Sequence, residues 1–246
     1  GLLGEVGLLA EIGDIERREE CILRHLQPQV RAHFLTRSGT PTIHKRRFLD
    51  KHTGNRLIEL YLMDDSARPP GADLPLKEAI DKLAPQFDVV VVADYGHGMM
   101  TSNAIEAVQS RSRFLALNVQ SNAGNRGYNL VSKYRRADYV CLAAHEVELE
   151  GRLRHADLEH LVAVMRNSID AKHFTITRGH AGSVHFEREG TVVDVPAFAT
   201  HVTDRVGAGD AVLAVTAGLH AAGAPNDVVG FVGNIAGAIM CAELGN

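Results

Sequence analysis

The chain has 246 residues, 45% of them hydrophobic and 23% charged, with 26 Lys and Arg against 30 Asp and Glu for a formal net charge of −4. That arithmetic excludes fibrous, disordered and disulfide-rich classes, and it leaves room for one large α/β domain or two small ones with a sizeable core. No block of like charge points to a nucleic-acid partner, no apolar run nears the roughly 18 residues of a membrane span, and three distant cysteines (Cys21, Cys141, Cys241) without CxxC spacing indicate neither disulfides nor zinc. A reducing cytoplasm is the expected compartment.

The segment 4–14 reads as a strand already in mid-domain, without the basic region or small-residue cleavage site of a signal peptide. Residues 15–26 place Ile15, Ile22, Leu23 and Leu26 at helical spacing and stop before Pro28. Three alternating runs follow at 30–35, 42–49 and 56–62, separated by Ser38-Gly39 and Thr53-Gly54-Asn55, and read as an antiparallel meander. Residues 64–75, rich in Asp, Pro and Gly, read as a loop. A helix at 76–83 then leads to the β-branched run 88–93, a buried parallel strand by its length and composition.

The alternation continues with helix 101–112, strand 114–118, a polar loop carrying Asn118, Asn122, Asn125 and Asn129, and strand 138–142. Helices near 145–151 and 156–168, strand 173–177, a hairpin at 182–195 and Ala/Gly-rich helices at 209–222 and 225–243 complete the series. Such alternation predicts a parallel sheet covered on both faces, with the early meander as a small lid. Glu243-Leu244-Gly245-Asn246 reads as a helix stop, and the chain as a whole as a fragment of a longer protein. The 13 histidines show no HExxH and no paired i,i+4 spacing, so scattered surface histidines are expected rather than a metal centre. Cys141, at a strand end, is expected to pack rather than to react.

The most informative stretch is Asp204-Arg205-Val206-Gly207-Ala208-Gly209-Asp210, which opens an apolar helix. A Gly-Ala-Gly turn there presents backbone N–H groups at the positive end of the helix dipole, suited to a phosphate and to charge that develops in phosphoryl transfer. Asp210, last in the turn, is placed to take a proton from an attacking hydroxyl. The plainer alternative is a tight helix entry with Asp210 as an N-terminal charge.

In context the segment resembles the DTxGAGD signature of the ribokinase-like (PfkB) carbohydrate kinase family, with Asp204 and Gly207-Ala208-Gly209-Asp210 intact. Thr177-Arg178-Gly179-His180-Ala181-Gly182 is similar to the family's TxGxxG turn beside the nucleotide, and Gly233-Asn234-Ile235-Ala236-Gly237-Ala238 to its adenine-side helix. Asp94-Tyr95-Gly96-His97-Gly98 and Pro41-Thr42-Ile43-His44-Lys45-Arg46-Arg47 look most like the heptose-7-phosphate kinases. The resemblance covers about residues 4–246.

It implies one ribokinase-like α/β domain over 1–246, a mostly parallel sheet with helices on both faces, and a β lid at 30–62 that carries a homodimer contact. It implies transfer of the γ-phosphoryl of ATP to an alcohol group of a sugar, with Asp210 as base and Gly207, Ala208 and Gly209 as anion hole. It implies ATP contacts at Asn118, His145, Glu148, Thr177, Gly179, Gly182 and Asn234, and Mg²⁺ placed with Glu148; a monovalent cation such as K⁺ is a further candidate. Lys45, Arg47 and Asp94 are the substrate-side candidates, with a solvated basic edge as the alternative for the two cations. The partners are then ATP and a sugar or sugar phosphate, with a fused nucleotidyltransferase domain as a further expectation, and neither nucleic acid nor membrane.

Two departures stand out. His145-Glu146-Val147-Glu148 has His where the family's NxxE has Asn; a neutral imidazole still donates one hydrogen bond, and metal chelation by His145 is the alternative. Asn118-Val119-Gln120 stands where heptose kinases carry DPK, so the lysine that reaches toward a phosphate is missing, and Arg126 and Lys133 are the cations that would compensate. The following asparagines read as an Asx-rich turn. The family's first strands and its Gly-Gly sugar-binding segment have no counterpart upstream of residue 4. The contacts to sugar hydroxyls made there are therefore unassigned, as is whatever completes the sheet. A non-catalytic nucleotide- or sugar-binding module and a kinase of another sugar or nucleoside remain the rival functions.

Overall fold

The structure, a computed structural model, describes residues 4–52, 56–188 and 190–243, and the chain divides into two compact units, 1–76 and 77–246. In the first, β1 (Val6–Ile15), α1 (Glu19–His25) and β2 (Val30–Pro41) form a parallel pair joined by a helical crossover, in register from Val6↔Val30 to Gly13↔Arg37. Glu19 and Glu20 open α1 and Arg24 and His25 close it, matching its dipole. A Cβ at Gly13 would lie 2.1 Å from the Thr40 carbonyl oxygen, so only glycine allows the two backbones to approach there.

β3 (His44–Leu49) and β4 (Arg56–Leu62) pair antiparallel as a separate two-stranded sheet. The expected three-strand antiparallel meander is therefore corrected. The run at 30–35 extends to Pro41 and pairs in parallel with β1, because α1 supplies the crossover that a parallel pair requires. The expected turn Thr53-Gly54-Asn55 lies outside the described residues. The 64–75 loop is tied down in its own unit: Arg68 pairs with Glu11, and Arg37 Nη2 with Asp64 Oδ2 at 3.1 Å.

The second unit runs α2 (Leu74–Leu83, which opens just before it), β5 (Val90–Asp94), α3 (Ser102–Arg111), β6 (Leu115–Val119), β7 (Tyr139–Ala143), α4 (Ala144–Gly151), α5 (Leu158–Arg166) and β8 (His173–Thr177). It continues with β9 (Ser183–Glu187), β10 (Val192–Val195), α6 (Ala208–Ala221) and α7 (Asn226–Ala242). The sheet order is β10-β9-β8-β7-β6-β5, with β5 to β8 parallel and β9 and β10 antiparallel. β6 is buried along its whole length, as the unbroken apolar run of a central parallel strand requires. Thr101 caps α3 by accepting from Ala104 N–H, and Asp157 caps α5. The helix stop expected at 243–246 lies mostly outside the described residues.

Small side chains let α6 lie close on the sheet: Ala116, Tyr139 and Cys141 pack against Val212, Leu213 and Ala217. α7 approaches α6 through Gly233, where an added Cβ would meet Thr216 Cγ2 at 2.8 Å. Three of the 13 histidines depart from the expected scatter of surface imidazoles. His185 and His220 are buried, and His173 stacks on His220 at a centroid distance of 4.5 Å. His185 is bonded by Thr175 Oγ1 and Ser183 Oγ, each at 2.8 Å, whereas neither nitrogen of His220 has a partner among the described residues.

Candidate active site

The site lies at the C-terminal ends of β5, β6 and β7, where open α/β sheets gather their ligands. Asp204 Oδ1 accepts from Val206 N–H at 3.1 Å, turning the chain so that Gly207, at φ +77°, starts α6. The amides of the helix's first turn have no carbonyl of their own helix to bond. Nothing lies within 4 Å of where a Cβ would sit on Gly209, so that turn is open to an anion. Asp210 follows in the same turn. Its Oδ1 accepts from Gln120 Nε2 at 2.8 Å and from Tyr95 O–H at 3.3 Å. These two residues directly follow β6 and β5, so adjacent strands deliver both donors to one carboxylate.

Glu146 is a second acid close enough to feel the charge of Asp210. It is buried at the third position of α4, with Oε2 on Ala143 N–H at 2.8 Å and Oε1 on Ser121 N–H at 2.9 Å. Burial raises its pKa, the two backbone donors and His145 oppose the rise, and the charge of Asp210 adds to it. Burial and the neighbouring Asp210 push the Tyr95 phenol up to about 12, so it stays a donor at neutral pH. Burial likewise pushes the Cys141 thiol up to about 12, which makes it inert packing.

The expected site residues divide into those at this centre and those with other partners. Asn118 is buried beside it, with Nδ2 donating to the Cys141 carbonyl at 2.8 Å and Oδ1 accepting no bond from the described residues. His145 is exposed on the first turn of α4. Glu148 Oε1 accepts from His155 N–H at 3.1 Å, after the end of α4, whereas Glu146, two residues earlier, is the acid of α4 that feels the charge of Asp210. Thr177 ends β8 and leads into the turn of Gly179 and Gly182, where Gly182 N–H donates to the Gly179 carbonyl at 3.0 Å. Asn234 commits its amide to protein: Oδ1 accepts from Ser183 Oγ at 2.9 Å, and Nδ2 donates to the carbonyls of Val195 and Pro196.

Asp94 also departs from its expected role, because its carboxylate is buried in a network rather than presented to a substrate. Oδ2 meets Lys133 Nζ at 2.5 Å and Tyr134 O–H at 2.7 Å, and Oδ1 accepts from Gly96 N–H at 2.9 Å. Lys133 is thereby engaged, which removes it as the compensating cation. Lys45 and Arg47 belong to the first unit, where Lys45 Nζ lies 5.0 Å from the Tyr61 ring centroid and Arg47 Nε pairs with Glu59 Oε1 at 2.7 Å. Tyr95, Gln120 and Glu146 are the residues the sequence reading did not place at the centre. All three sit inside segments it quoted, and Gln120 was visible as a departure.

A helix N-terminus carrying an acid above the ends of parallel strands is the arrangement by which open α/β folds gather ligands. The chain belongs to the pfkB family of carbohydrate kinases, whose family model matches residues 2–246. It is 27% identical over 243 residues to the bifunctional protein HldE of Rhodopseudomonas palustris (strain BisB18), covering 98% of this chain and 49% of that protein. The bifunctional protein HldE of Bradyrhizobium diazoefficiens is 28% identical over 247 residues, with 98% and 48% covered. The chain spans half or less of the length of the curated relatives it matches.

Among solved structures it is similar to Escherichia coli phosphofructokinase-2 in complex with fructose-6-phosphate (TM-score 0.76, 14% identity, 98% of this chain and 78% of that one). It is also similar to Arabidopsis thaliana ribokinase complexed with ribose and ATP (TM-score 0.68, 14% identity, 98% and 77% covered). These likenesses show the fold, which is ribokinase-like. Among the described residues no helix is long and apolar enough to cross a membrane.

Proposed function

We propose that this chain transfers the γ-phosphoryl group of ATP to a hydroxyl of a sugar phosphate of heptose-7-phosphate type. The observation that carries the reading is the position of Asp210, in the first turn of α6 and beside the glycine-opened amides at the ends of the parallel strands. A carboxylate there accepts the proton of the attacking hydroxyl, and the amides of Gly207, Ala208 and Gly209 meet charge on the transferring group. Positioning and charge neutralisation do most of the work in such a transfer.

ATP fits the open turn at Gly209, with Thr177, Gly179 and Gly182 on the nucleotide side and Asn234 supporting the backbone around them. Mg²⁺ supplies charge neutralisation on the phosphates. Mg²⁺ prefers oxygen ligands, so the ion suits this site in company with phosphate oxygens; Glu148 stands in the place of the family's acid, with its Oε1 engaged by His155 N–H at 3.1 Å. A K⁺ site belongs to the same proposal, as do a cytoplasmic location and a nucleotidyltransferase domain elsewhere in the full protein. Phe48, Ile58, Leu60 and Leu62 are exposed and share one face of β3 and β4, an apolar surface that suits a homodimer through that pair of strands.

A second reading rests on Gln120. With a neutral amide where heptose kinases carry lysine, the acceptor is a different sugar or a nucleoside. The test is ATP consumption by the full-length protein across sugars, sugar phosphates and nucleosides, heptose-7-phosphate included, with Asp210→Asn as control. Turnover confined to one sugar phosphate and lost in the control supports the first reading. Turnover with an uncharged acceptor supports the second, and ATP binding without any turnover makes the chain a binding module.

A further inference from the structure

We propose that Gln120 and Tyr95, fixed by the asparagine loop that follows β6, form an uncharged clamp that positions Asp210 for proton transfer. The inference rests on Asp210 being the base. Gln120 and Tyr95 are positioning residues, since each acts through Asp210 Oδ1.

Both donors are held from behind by one set of side chains. Gln120 N–H donates to the Asp94 carbonyl at 2.9 Å, and the Gln120 carbonyl accepts from Asn129 Nδ2 at 3.1 Å. Asn129 Nδ2 also donates to the Asp94 carbonyl at 3.0 Å, and Lys133 Nζ on Asn129 Oδ1 at 2.6 Å sets which way that amide faces. The Tyr95 carbonyl accepts from Asn122 Nδ2 at 2.9 Å and Asn125 Nδ2 at 2.8 Å. A Cβ on Gly96 would lie 2.2 Å from Asn125 Nδ2, so the loop closes on the β5 end only because that residue is glycine. The asparagines thus do more than form turns: they brace the two residues that touch the base.

The chemistry favours a neutral clamp. A hydrogen bond to the charged carboxylate fixes its orientation and favours the ionised form modestly, whereas a cation at Gln120 would form an ion pair and lower the basicity of Asp210 further. Among the described residues, Tyr95, Cys141 on β7 and Glu146 on α4 are titratable groups that feel the charge of Asp210. Of these Glu146 opposes the ionised form of Asp210, and the clamp counters it.

The experiment compares Gln120→Leu, Gln120→Lys and Tyr95→Phe with the parent in the full-length protein. Two readouts are taken: the pH profile of ATP turnover on heptose-7-phosphate, and the ¹³C titration of the Asp210 carboxyl, assigned by its absence in Asp210→Asn. For Gln120→Leu we expect kcat to fall about tenfold to a hundredfold with KM for ATP nearly unchanged. The Asp210 titration and the acid limb should move to higher pH in Gln120→Leu and to lower pH in Gln120→Lys. Tyr95→Phe removes only one hydroxyl and should repeat the upward shift more weakly, which covers the case of a Gln120 variant that fails to fold.

An unmoved Asp210 titration in both Gln120→Leu and Tyr95→Phe overturns the clamp, as does a raised KM for ATP with kcat unchanged. Full turnover in Asp210→Asn overturns the base assignment instead. The carboxyl titration reads the clamp even if heptose-7-phosphate is not turned over.

Discussion

Lys133 Nζ and Asp94 Oδ2 close an ion pair of 2.5 Å whose acid is only 3% exposed. Tyr134 O–H shares the same oxygen, and burial first and Asp94 second push its pKa upward, so it remains a donor. Removing one partner of such a pair leaves a buried charge with incomplete solvation. Lys133→Met should therefore destabilise the protein by about 3–5 kcal/mol, while the double change Asp94→Asn with Lys133→Met should cost less than Lys133→Met alone. Urea midpoints of the three proteins check this. A Lys133→Met variant within about 0.5 kcal/mol of the parent would show that the pair contributes nothing.

Glu146 makes a second stability prediction, because both its oxygens accept from backbone N–H groups, Ala143 at 2.8 Å and Ser121 at 2.9 Å. Glutamine has one acceptor and one NH₂, so in Glu146→Gln an amide donor must face a backbone donor. The expected loss is about 1–3 kcal/mol, the penalty of a buried group left unpaired. Chemical denaturation measures it, and an unchanged midpoint would mean that the α4 entry does not depend on this acid.

The two glycines of the turn after β8 should respond unequally. Gly182 has φ +83° and ψ −137°, and a Cβ there would lie 2.0 Å from the Val195 carbonyl oxygen. Gly179 has φ +58° with nothing within 4 Å of the added atom. Gly179→Ala should cost about 1–2 kcal/mol, the left-handed penalty alone. Gly182→Ala adds a collision between backbones and should cost clearly more or prevent folding. Equal melting temperatures for the two variants would contradict this.

The sequence reading located the parallel sheet because its strands are apolar and continuous where both faces are covered, as in Leu115–Val119. It missed the pairing of β2 with β1 because alternation reports which face is buried and not which neighbour lies alongside. The glycine-opened helix entry at Gly207–Asp210 was legible because φ > 0 and helix entry are local requirements. The partners of Asp210 were not, since Gln120 and Tyr95 lie 90 and 115 residues away in the chain and only the fold joins them. The network around Asp94 was illegible for the same reason: its partners Lys133 and Tyr134 arrive from a loop whose composition says only that it turns.

The buried histidines make acid stability the remaining prediction. Burial lowers the pKa of His185 to about 4, slightly opposed by Asp194, and burial together with the charges of His173 and His185 lowers that of His220 to about 3. These bases have folded-state values below the ordinary 6.5, so the unfolded chain takes protons that the folded chain refuses. Above about pH 6.5 both states are neutral and the imidazoles contribute no pH dependence. Below it the unfolded state binds more protons, so stability falls as pH drops toward 4 and then 3. For His185 alone the full effect is on the order of 3 kcal/mol. Glu146, with its raised value, acts in the opposite direction, so the difference between variants isolates the histidines. His220→Leu removes a ring whose two nitrogens have no partner among the described residues, and should leave stability at pH 7.5 unchanged or raised while flattening the decline toward pH 5. Urea midpoints at pH 7.5, 6 and 5 decide the matter: parallel declines in parent and variant would mean that water reaches His220 and that its ring is not held neutral by the fold.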